Sequence, residues 1–126
     1  MRVLVDTQAL LWWLIDSERL GPKARRVFMS EEPIVSPVVL WEIAIKVKLG
    51  KLEANVPEVC AAVSEEGFER LGFSDRHMIS LATLDLHHRD PFDRMLVVQS
   101  QTENVPLLTS DEKMGLYKIE ILDSRT

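Results

Sequence analysis

The chain has one cysteine, Cys60, and only five glycines among its 126 residues. A single cysteine excludes an intramolecular disulfide, which is typical of proteins in a reducing cytosol. The longest apolar runs, Ala9–Ile15 and Val38–Trp41, are far shorter than the roughly 20 residues needed to cross a bilayer. Asp6 interrupts the apolar N-terminal segment, which argues against a signal peptide. We therefore expect a cytoplasmic protein with no membrane segment.

Glycine-rich phosphate-binding turns are also missing. The segment after the first predicted strand, DTQALLWW at residues 6–13, has no glycine. A dinucleotide-binding turn is therefore excluded, and no P-loop occurs anywhere in the chain. A phosphatase with an aspartate nucleophile would need a second acid two residues after Asp6, where Gln8 stands. A phospho-receiver module would need an acidic pair near the first strand, and Asp6 is alone there, although Lys113 could supply its lysine.

Basic residues are in the minority, with 15 Lys and Arg against 20 Asp and Glu. The resulting net charge of −5 argues against a protein that coats nucleic acid electrostatically. A nucleic-acid enzyme would have to combine local basic patches with an acidic metal centre. Acids concentrated in such a centre would themselves lower the net charge, so the charge balance decides little.

Short apolar segments alternate with amphipathic helical segments along the chain, and no repeat or linker separates them. Such alternation predicts parallel strands with helices on both faces. We predict a single domain over residues 1–126, an α/β/α sandwich of three layers whose central sheet is mainly parallel. Its five short strands are predicted at residues 2–6, 34–36, 68–73, 105–109 and 119–122. Its helices are predicted at residues 8–16, 22–29, 37–49, 56–66, 75–84 and 91–103.

Small polar residues, prolines and glycines mark the ends of these helices. Thr7 and Ser74 are predicted N-caps, and Ser36 followed by Pro37 is a good cap and first-turn pair. Pro33 is expected to end the unit that precedes the second strand, and Gly50 to close the helix that begins at Pro37.

Four acidic residues stand where the local apolar pattern has no use for a charge. In parallel sheets, strand carboxyl ends and the N-termini of the following helices lie at one edge, where ligands bind. We therefore expect these carboxylates to share one pocket, which their mutual repulsion would destabilise without a cation. The four residues are Asp6, Glu42, Asp93 and Asp111.

Each acid also has a structural alternative. Asp6 could cap the helix that follows it, and Glu42 could pair with Lys46 at i,i+4 on a solvated face. Asp90, followed by Pro91, fits an N-cap better than a ligand role. Asp111 could cap the turn before Met114, although Ser110 is an equally good cap and would free Asp111 for other work.

Four segments of the sequence resemble those of a known family. The segments VLVDT at 3–7, SPVVLWEI at 36–43, DPFDRML at 90–96 and LLTSD at 107–111 closely resemble the PIN-domain ribonucleases. Within them, the chain is similar to the VapC toxins of bacterial and archaeal toxin–antitoxin pairs. Each motif is weak alone, but their order and spacing together are specific.

The resemblance implies an endoribonuclease that hydrolyses RNA with metal-activated water. It implies that Asp6, Glu42, Asp93 and Asp111 bind Mg²⁺ or Mn²⁺, whose hard-ligand preference suits carboxylates. Thr7 and Ser110 would be polar neighbours that position water or metal. Arg94 would contact the scissile phosphate, with a surface salt bridge as its alternative.

The resemblance also implies partners. A VapB-like small antitoxin would bind near the first helices, and the toxin would form a homodimer. Aromatic residues near those helices, Trp12, Trp13 and Trp41, exceed what one face of each helix needs. They could pack in the core or line a groove or dimer seam.

Three alternatives remain open. The chain could be a PIN-type nuclease in RNA maturation, a nuclease acting on structured DNA without an antitoxin, or a non-catalytic PIN-like binding module. The adjacent histidines His87 and His88 are expected in a solvated loop rather than at a zinc site or as a general base. Cys60 is expected to pack within a helix.

Overall fold

A computed structural model describes all residues, 1–126. Five strands form one parallel sheet: β1 (Arg2–Val5), β2 (Glu32–Val35), β3 (Glu69–Arg70), β4 (Leu107–Thr109) and β5 (Ile121–Asp123). Six α-helices connect and flank them: α1 (Thr7–Leu14), α2 (Pro22–Ser30), α3 (Pro37–Lys48), α4 (Val56–Glu65), α5 (Asp75–Ala82) and α6 (Pro91–Glu103). A short 3-10 helix spans Glu112–Leu116. The α/β sandwich predicted from the sequence is confirmed.

The strand order is β3-β2-β1-β4-β5, with every neighbouring pair parallel. From β1 in the centre, the chain first builds the sheet to one side through β2 and β3. It then returns to the other side of β1 with β4 and β5. The crevice between β1 and β4 is therefore the topological switch point, where open parallel sheets bind ligands at the carboxyl ends of their strands.

The sheet centre is fully apolar because both of its faces are covered by helices. Val3, Leu4, Leu107 and Leu108 have no exposed surface, as expected for central strands of a parallel sheet. Leu96 of α6 is equally buried. This core fixes the positions at which β1 and β4 end, and those two ends carry Asp6 and Asp111.

Several helix ends match the sequence prediction. Ser36 caps α3 by accepting from the Val38 N–H, Pro37 is its first residue, and Gly50 follows with a φ of +72°. Left-handed backbone of this kind favours glycine after a helix. Ser74 caps α5 by accepting from the His77 N–H. These signals succeed because they depend only on local backbone chemistry.

Other boundaries differ from the prediction. The N-cap of α1 is Asp6, not Thr7, which is the first residue of the helix. Pro33 lies within β2 opposite Val3 instead of ending the preceding unit. The Glu32 N–H donates to Met1 O, on the side of β1. Backbone groups of successive strand residues point to opposite neighbours, so the side of Pro33 that lacks an N–H faces β3. That strand has only two residues. β3 is shorter than the predicted 68–73 because it pairs only at Glu69 and Arg70.

No helix is both long and apolar enough to cross a bilayer.

Candidate metal centre

Asp6 lies at the carboxyl end of β1 and is 7% exposed. Its Oδ1 accepts a hydrogen bond from the Ala9 N–H at 2.9 Å, so it caps α1. Its Oδ2 accepts a buried hydrogen bond from Thr109 Oγ1. Burial raises the pKa of Asp6 to about 6. The two hydrogen bonds lower the pKa, whereas repulsion from Glu42 and Asp111 adds to the rise. The capping alternative is therefore real, yet it uses only one of the two oxygens.

Glu42 of α3 is 6% exposed and has a partner on each carboxylate oxygen. Thr7 Oγ1 donates to Oε1, and Lys46 Nζ lies 2.6 Å from Oε2. The Lys46 pairing expected as an alternative is present, with Lys46 44% exposed and only Glu42 buried. A carboxylate this deeply buried requires a cation or strong donors, because its desolvation is otherwise uncompensated. Lys46 supplies a counter-charge to Glu42 from the solvent side.

Asp93 of α6 lies in the first turn of the helix, and its side chain is 19% exposed. Burial, followed by repulsion from Asp90, Glu42, Asp111 and Asp6, raises its pKa to about 8. Burial and the neighbouring acids thus both disfavour the charged form of Asp93 in this pocket. Asp90 itself caps α6, since its Oδ1 accepts from the backbone N–H groups of Phe92 and Asp93, as predicted.

Asp111 follows β4 and is the least buried of the four acids, with a side chain 33% exposed. Its Oδ1 caps the 3-10 helix by accepting from the Lys113 N–H at 2.9 Å. Of the two caps that the sequence allowed, Asp111 and Ser110, the helix uses Asp111. The second oxygen, Oδ2, faces the pocket and lies 2.8 Å from His88 Nε2.

Two threonines connect the acids across the switch point. Thr109 Oγ1 donates to Asp6 and accepts from the Asp111 N–H at 3.0 Å. Thr7 connects the turn that carries Asp6 to Glu42. Thr109, which the sequence did not single out, thus contacts both Asp6 and Asp111. The roles of Thr7 and Ser110 in positioning water or metal stay predictions.

Arg94 is hydrogen-bonded to the loop that precedes α6. Its guanidinium donates to the carbonyl oxygens of Leu84, Asp85 and His88 and lies 3.4 Å from Tyr117 Oη. These hydrogen bonds hold the loop before α6 in place, and none of the partners is a carboxylate. Contact of Arg94 with a scissile phosphate stays a prediction.

His88 is the residue of the pocket that sequence reasoning missed. Its Nε2 lies 2.8 Å from Asp111 Oδ2 and 3.1 Å from Asp93 Oδ2, and its side chain is 10% exposed. The three residues offer ligand atoms within 4.8 Å of one another. The expectation of a solvated histidine pair is therefore wrong for His88, although His87 is 45% exposed. Only its position five residues before Asp93, within the same loop-to-helix junction, could have indicated it.

The tryptophans divide between core and surface. Trp12 is buried, and Trp13 stacks on Phe28 with ring centroids 5.0 Å apart. Trp41 is 55% exposed and packs edge-on against Phe92. Separately, an apolar groove of about 730 Å³ runs between α1 and α4. Its apolar lining includes Leu11, Trp12, Leu14, Ile15, Leu52 and Val59.

Comparison with known proteins identifies the family. A family profile described as PIN domain matches residues 3–121. The chain belongs to the PIN-domain family. A comparison with curated protein sequences gave no match.

Solved structures share the fold at low sequence identity. VapBC2 from Rickettsia felis, in a complex with a promoter DNA fragment, has a chain with a TM-score of 0.75 and 14% identity, covering 97% of this chain and 98% of its own. A chain of a toxin–antitoxin complex from Klebsiella pneumoniae has a TM-score of 0.67 and 16% sequence identity, with 97% of both chains covered. FitAcB from Neisseria gonorrhoeae has a TM-score of 0.67 and 14% sequence identity, also with 97% of both chains covered. At these identities the likeness establishes the fold.

Proposed function

We propose that this PIN-domain protein is an endoribonuclease of VapC type that depends on Mg²⁺ or Mn²⁺ and is restrained by a small antitoxin. The observation that carries the proposal is the concentration of acids at the switch point of the sheet. Burial, with repulsion from Asp90, Glu42, Asp111 and Asp6 as smaller contributions, raises the pKa of Asp93. Buried carboxylates that also repel one another are suited to a hard divalent cation.

The donor set fits such an ion. Asp6, Glu42, Asp93 and Asp111 would supply carboxylate oxygens, the ligand type that Mg²⁺ and Mn²⁺ prefer. When bound, the ion activates water for attack on a phosphodiester and offsets the negative charge of the phosphate.

The protein's own residues prepare this pocket. Thr109 and Thr7 orient Asp6 and Glu42 by hydrogen bonds. Lys46 compensates part of the negative charge from the side of α3. The buried strand ends keep the acids from spreading apart, so the repulsion is retained in the folded state and is available to drive cation binding.

The first experiment is cleavage of a total RNA pool by the purified protein with MgCl₂ or MnCl₂, followed by mapping of the new ends. We expect cleavage that EDTA abolishes. Asp6→Asn should abolish it while the circular dichroism spectrum is retained, and Glu65→Gln, an exposed position on α4, should cleave like wild type. Undiminished cleavage by Asp6→Asn would refute the role of Asp6. Cleavage of structured DNA but not RNA would favour the nuclease alternative without an antitoxin.

The toxin role has its own test. Production of the wild-type chain alone in a bacterial host should arrest growth, and Asp93→Asn should relieve the arrest. Equal growth inhibition by both chains would contradict a toxin that acts through this pocket.

The groove between α1 and α4 supports the proposed antitoxin partner. Its floor is apolar and its rim carries polar residues such as Gln8, Arg19 and Glu58, the pattern of a protein interface. A short protein encoded beside this chain should co-purify with it. Ile15→Arg should abolish co-purification, whereas Met29→Arg should not, because both side chains are 72% exposed but only Ile15 lines the groove. If both variants still co-purify with the short protein, this groove is excluded as its binding site.

The proposed homodimer draws support from exposed apolar residues on α5. Met78 and Ile79 are 45% and 69% exposed, and solvent contact of adjacent apolar side chains is unfavourable. Light scattering should report a dimer for the wild type and a monomer for Ile79→Asp. A monomeric wild type would refute the dimer.

A further inference from the structure

His88 lies between two acids of the proposed metal centre. The Nε2 atom is 2.8 Å from Asp111 Oδ2 and 3.1 Å from Asp93 Oδ2. Its geometry permits two roles with opposite chemistry. A bare Nε2 lone pair would be a metal ligand, whereas an Nε2–H group would donate to the carboxylates and exclude the ring from the ion.

The other ring nitrogen decides between these roles. The Asp90 backbone N–H donates to His88 Nδ1 at 3.2 Å. An atom that accepts a backbone N–H carries no hydrogen of its own, so the hydrogen of the neutral ring is on Nε2. Asp90 is held in turn as the N-cap of α6, so the donor to Nδ1 is fixed by the helix start.

The backbone of His88 is fixed as well. Its N–H donates to Tyr117 Oη at 2.9 Å, and its carbonyl oxygen accepts from Arg94 Nη1 at 3.2 Å. The ring therefore enters the pocket from a loop whose hydrogen bonds leave it little freedom. A donor held this firmly can set the separation of the two carboxylates it contacts.

We propose that His88 is a positioning residue and not a metal ligand: its Nε2–H group holds the Oδ2 atoms of Asp93 and Asp111 in the arrangement that a divalent cation requires. This inference rests on the proposed metal centre. It adds a fifth residue to that centre, from a loop in which no acid of the quartet lies.

The tautomer can be measured in the metal-free protein. With ¹⁵N-labelled protein in EDTA, long-range ¹H–¹⁵N spectra distinguish a protonated Nε2 from a protonated Nδ1. Only three histidines are present, and single substitutions assign their signals. We expect the Nε2–H form for His88. An Nδ1–H form would overturn the proposal whether or not the protein binds metal.

The positioning role predicts a defined change in Mn²⁺ affinity. Titration with MnCl₂, followed by electron paramagnetic resonance of the free ion, should show affinity about 10-fold or more weaker for His88→Ala, the range found for residues that orient metal ligands. His88→Gln should recover part of that loss, because its amide offers an N–H in the place of Nε2–H. The control is His87→Ala, which removes the adjacent, exposed ring, and it should bind like wild type. Melting temperatures in EDTA should establish that each variant is folded.

Pulsed electron paramagnetic resonance of the Mn²⁺ complex separates positioning from ligation. We expect no coupling of the ion to imidazole nitrogen. Coupling that disappears in His88→Ala would make His88 a ligand and overturn the proposal, as would equal Mn²⁺ affinity in His88→Ala and wild type. A wild type that binds no Mn²⁺ would instead refute the metal centre itself, and would overturn the positioning role with it.

Discussion

The side chains of Asp6 and Thr109, 103 residues apart in the chain, share a buried hydrogen bond. Thr109 Oγ1 also accepts from the Asp111 N–H, so one hydroxyl joins the acids that follow β1 and β4. These two strands are neighbours in the sheet. The bond therefore spans the switch point and depends on correct pairing of the first and fourth strands.

Thr109→Val should remove this connection while keeping the shape of the side chain. We expect a loss of about 1–3 kcal/mol in the free energy of unfolding, because a buried Asp6 oxygen loses its donor. Thr109→Ser retains the hydroxyl and is the control. Urea denaturation in EDTA measures the loss, and equal midpoints for the two variants would show that the hydroxyl contributes nothing.

Asp93→Asn should stabilise the metal-free protein while weakening its affinity for Mn²⁺. The neutral amide avoids both the burial of a charge and, to a smaller extent, the repulsion from neighbouring acids that together raise the pKa of Asp93 to about 8. We expect a gain of about 1–3 kcal/mol at pH 8.5, since one unit of pKa corresponds to ~1.4 kcal/mol and solvent screening reduces the full effect. Thermal melts in EDTA test this, with Glu65→Gln as the control. A destabilised Asp93→Asn would contradict a pocket that is strained by like charges.

The stability of the metal-free protein should fall as the pH rises. Asp6 and Asp93 have pKa values raised from 3.8 to about 6 and about 8, so the folded state binds more protons than the unfolded state in this range. Their contribution is complete below pH 4 and is lost as the pH rises through 6 and then 8.

Melting temperatures between pH 4 and pH 9, in EDTA and in MnCl₂, measure this effect. Mn²⁺ should stabilise most at the alkaline end, because it competes with protons for the same oxygens. A melting temperature in EDTA that rises from pH 6 to pH 9 would have the wrong sign.

Lys46→Met should destabilise the metal-free protein and enlarge the stabilisation given by Mn²⁺. Lys46 Nζ lies 2.6 Å from Glu42 Oε2, and its loss leaves a buried carboxylate without a counter-charge. The ion then faces no competing cation at Glu42. Lys48→Met, at an exposed position of the same helix, is the control. The shift in melting temperature on adding MnCl₂ is the measurement, and an equal shift in both variants would show that Lys46 does not compete.

Local chemistry made much of the fold predictable. Ser36, Pro37 and Gly50 mark both ends of α3 because a cap, a fixed φ and a left-handed residue act on their own neighbours. Parallel topology alone predicted that Asp6 and Asp111, each directly after a strand, lie at the same edge of the sheet. The short β3 was not predictable, since its length is set by the part of β2 that it can pair with.

His88 and Arg94 show the limit of sequence reasoning. His88 lies in a polar loop without periodicity and Arg94 at the start of α6. Both contact Tyr117, which is 29 and 23 residues away from them in the chain. Nothing in the loop itself indicates that partner. Thr109 was missed for a similar reason, because its partner Asp6 is 103 residues away in the chain.

The central position of β1 has a consequence for protein synthesis. The first acid of the pocket is translated at residue 6 and the last at residue 111, and the strand that precedes the last one docks beside β1. A nascent chain that has not yet reached residue 111 lacks both Asp111 and the complete β4 that docks beside β1. The proposed metal centre therefore cannot form during translation of the first 110 residues.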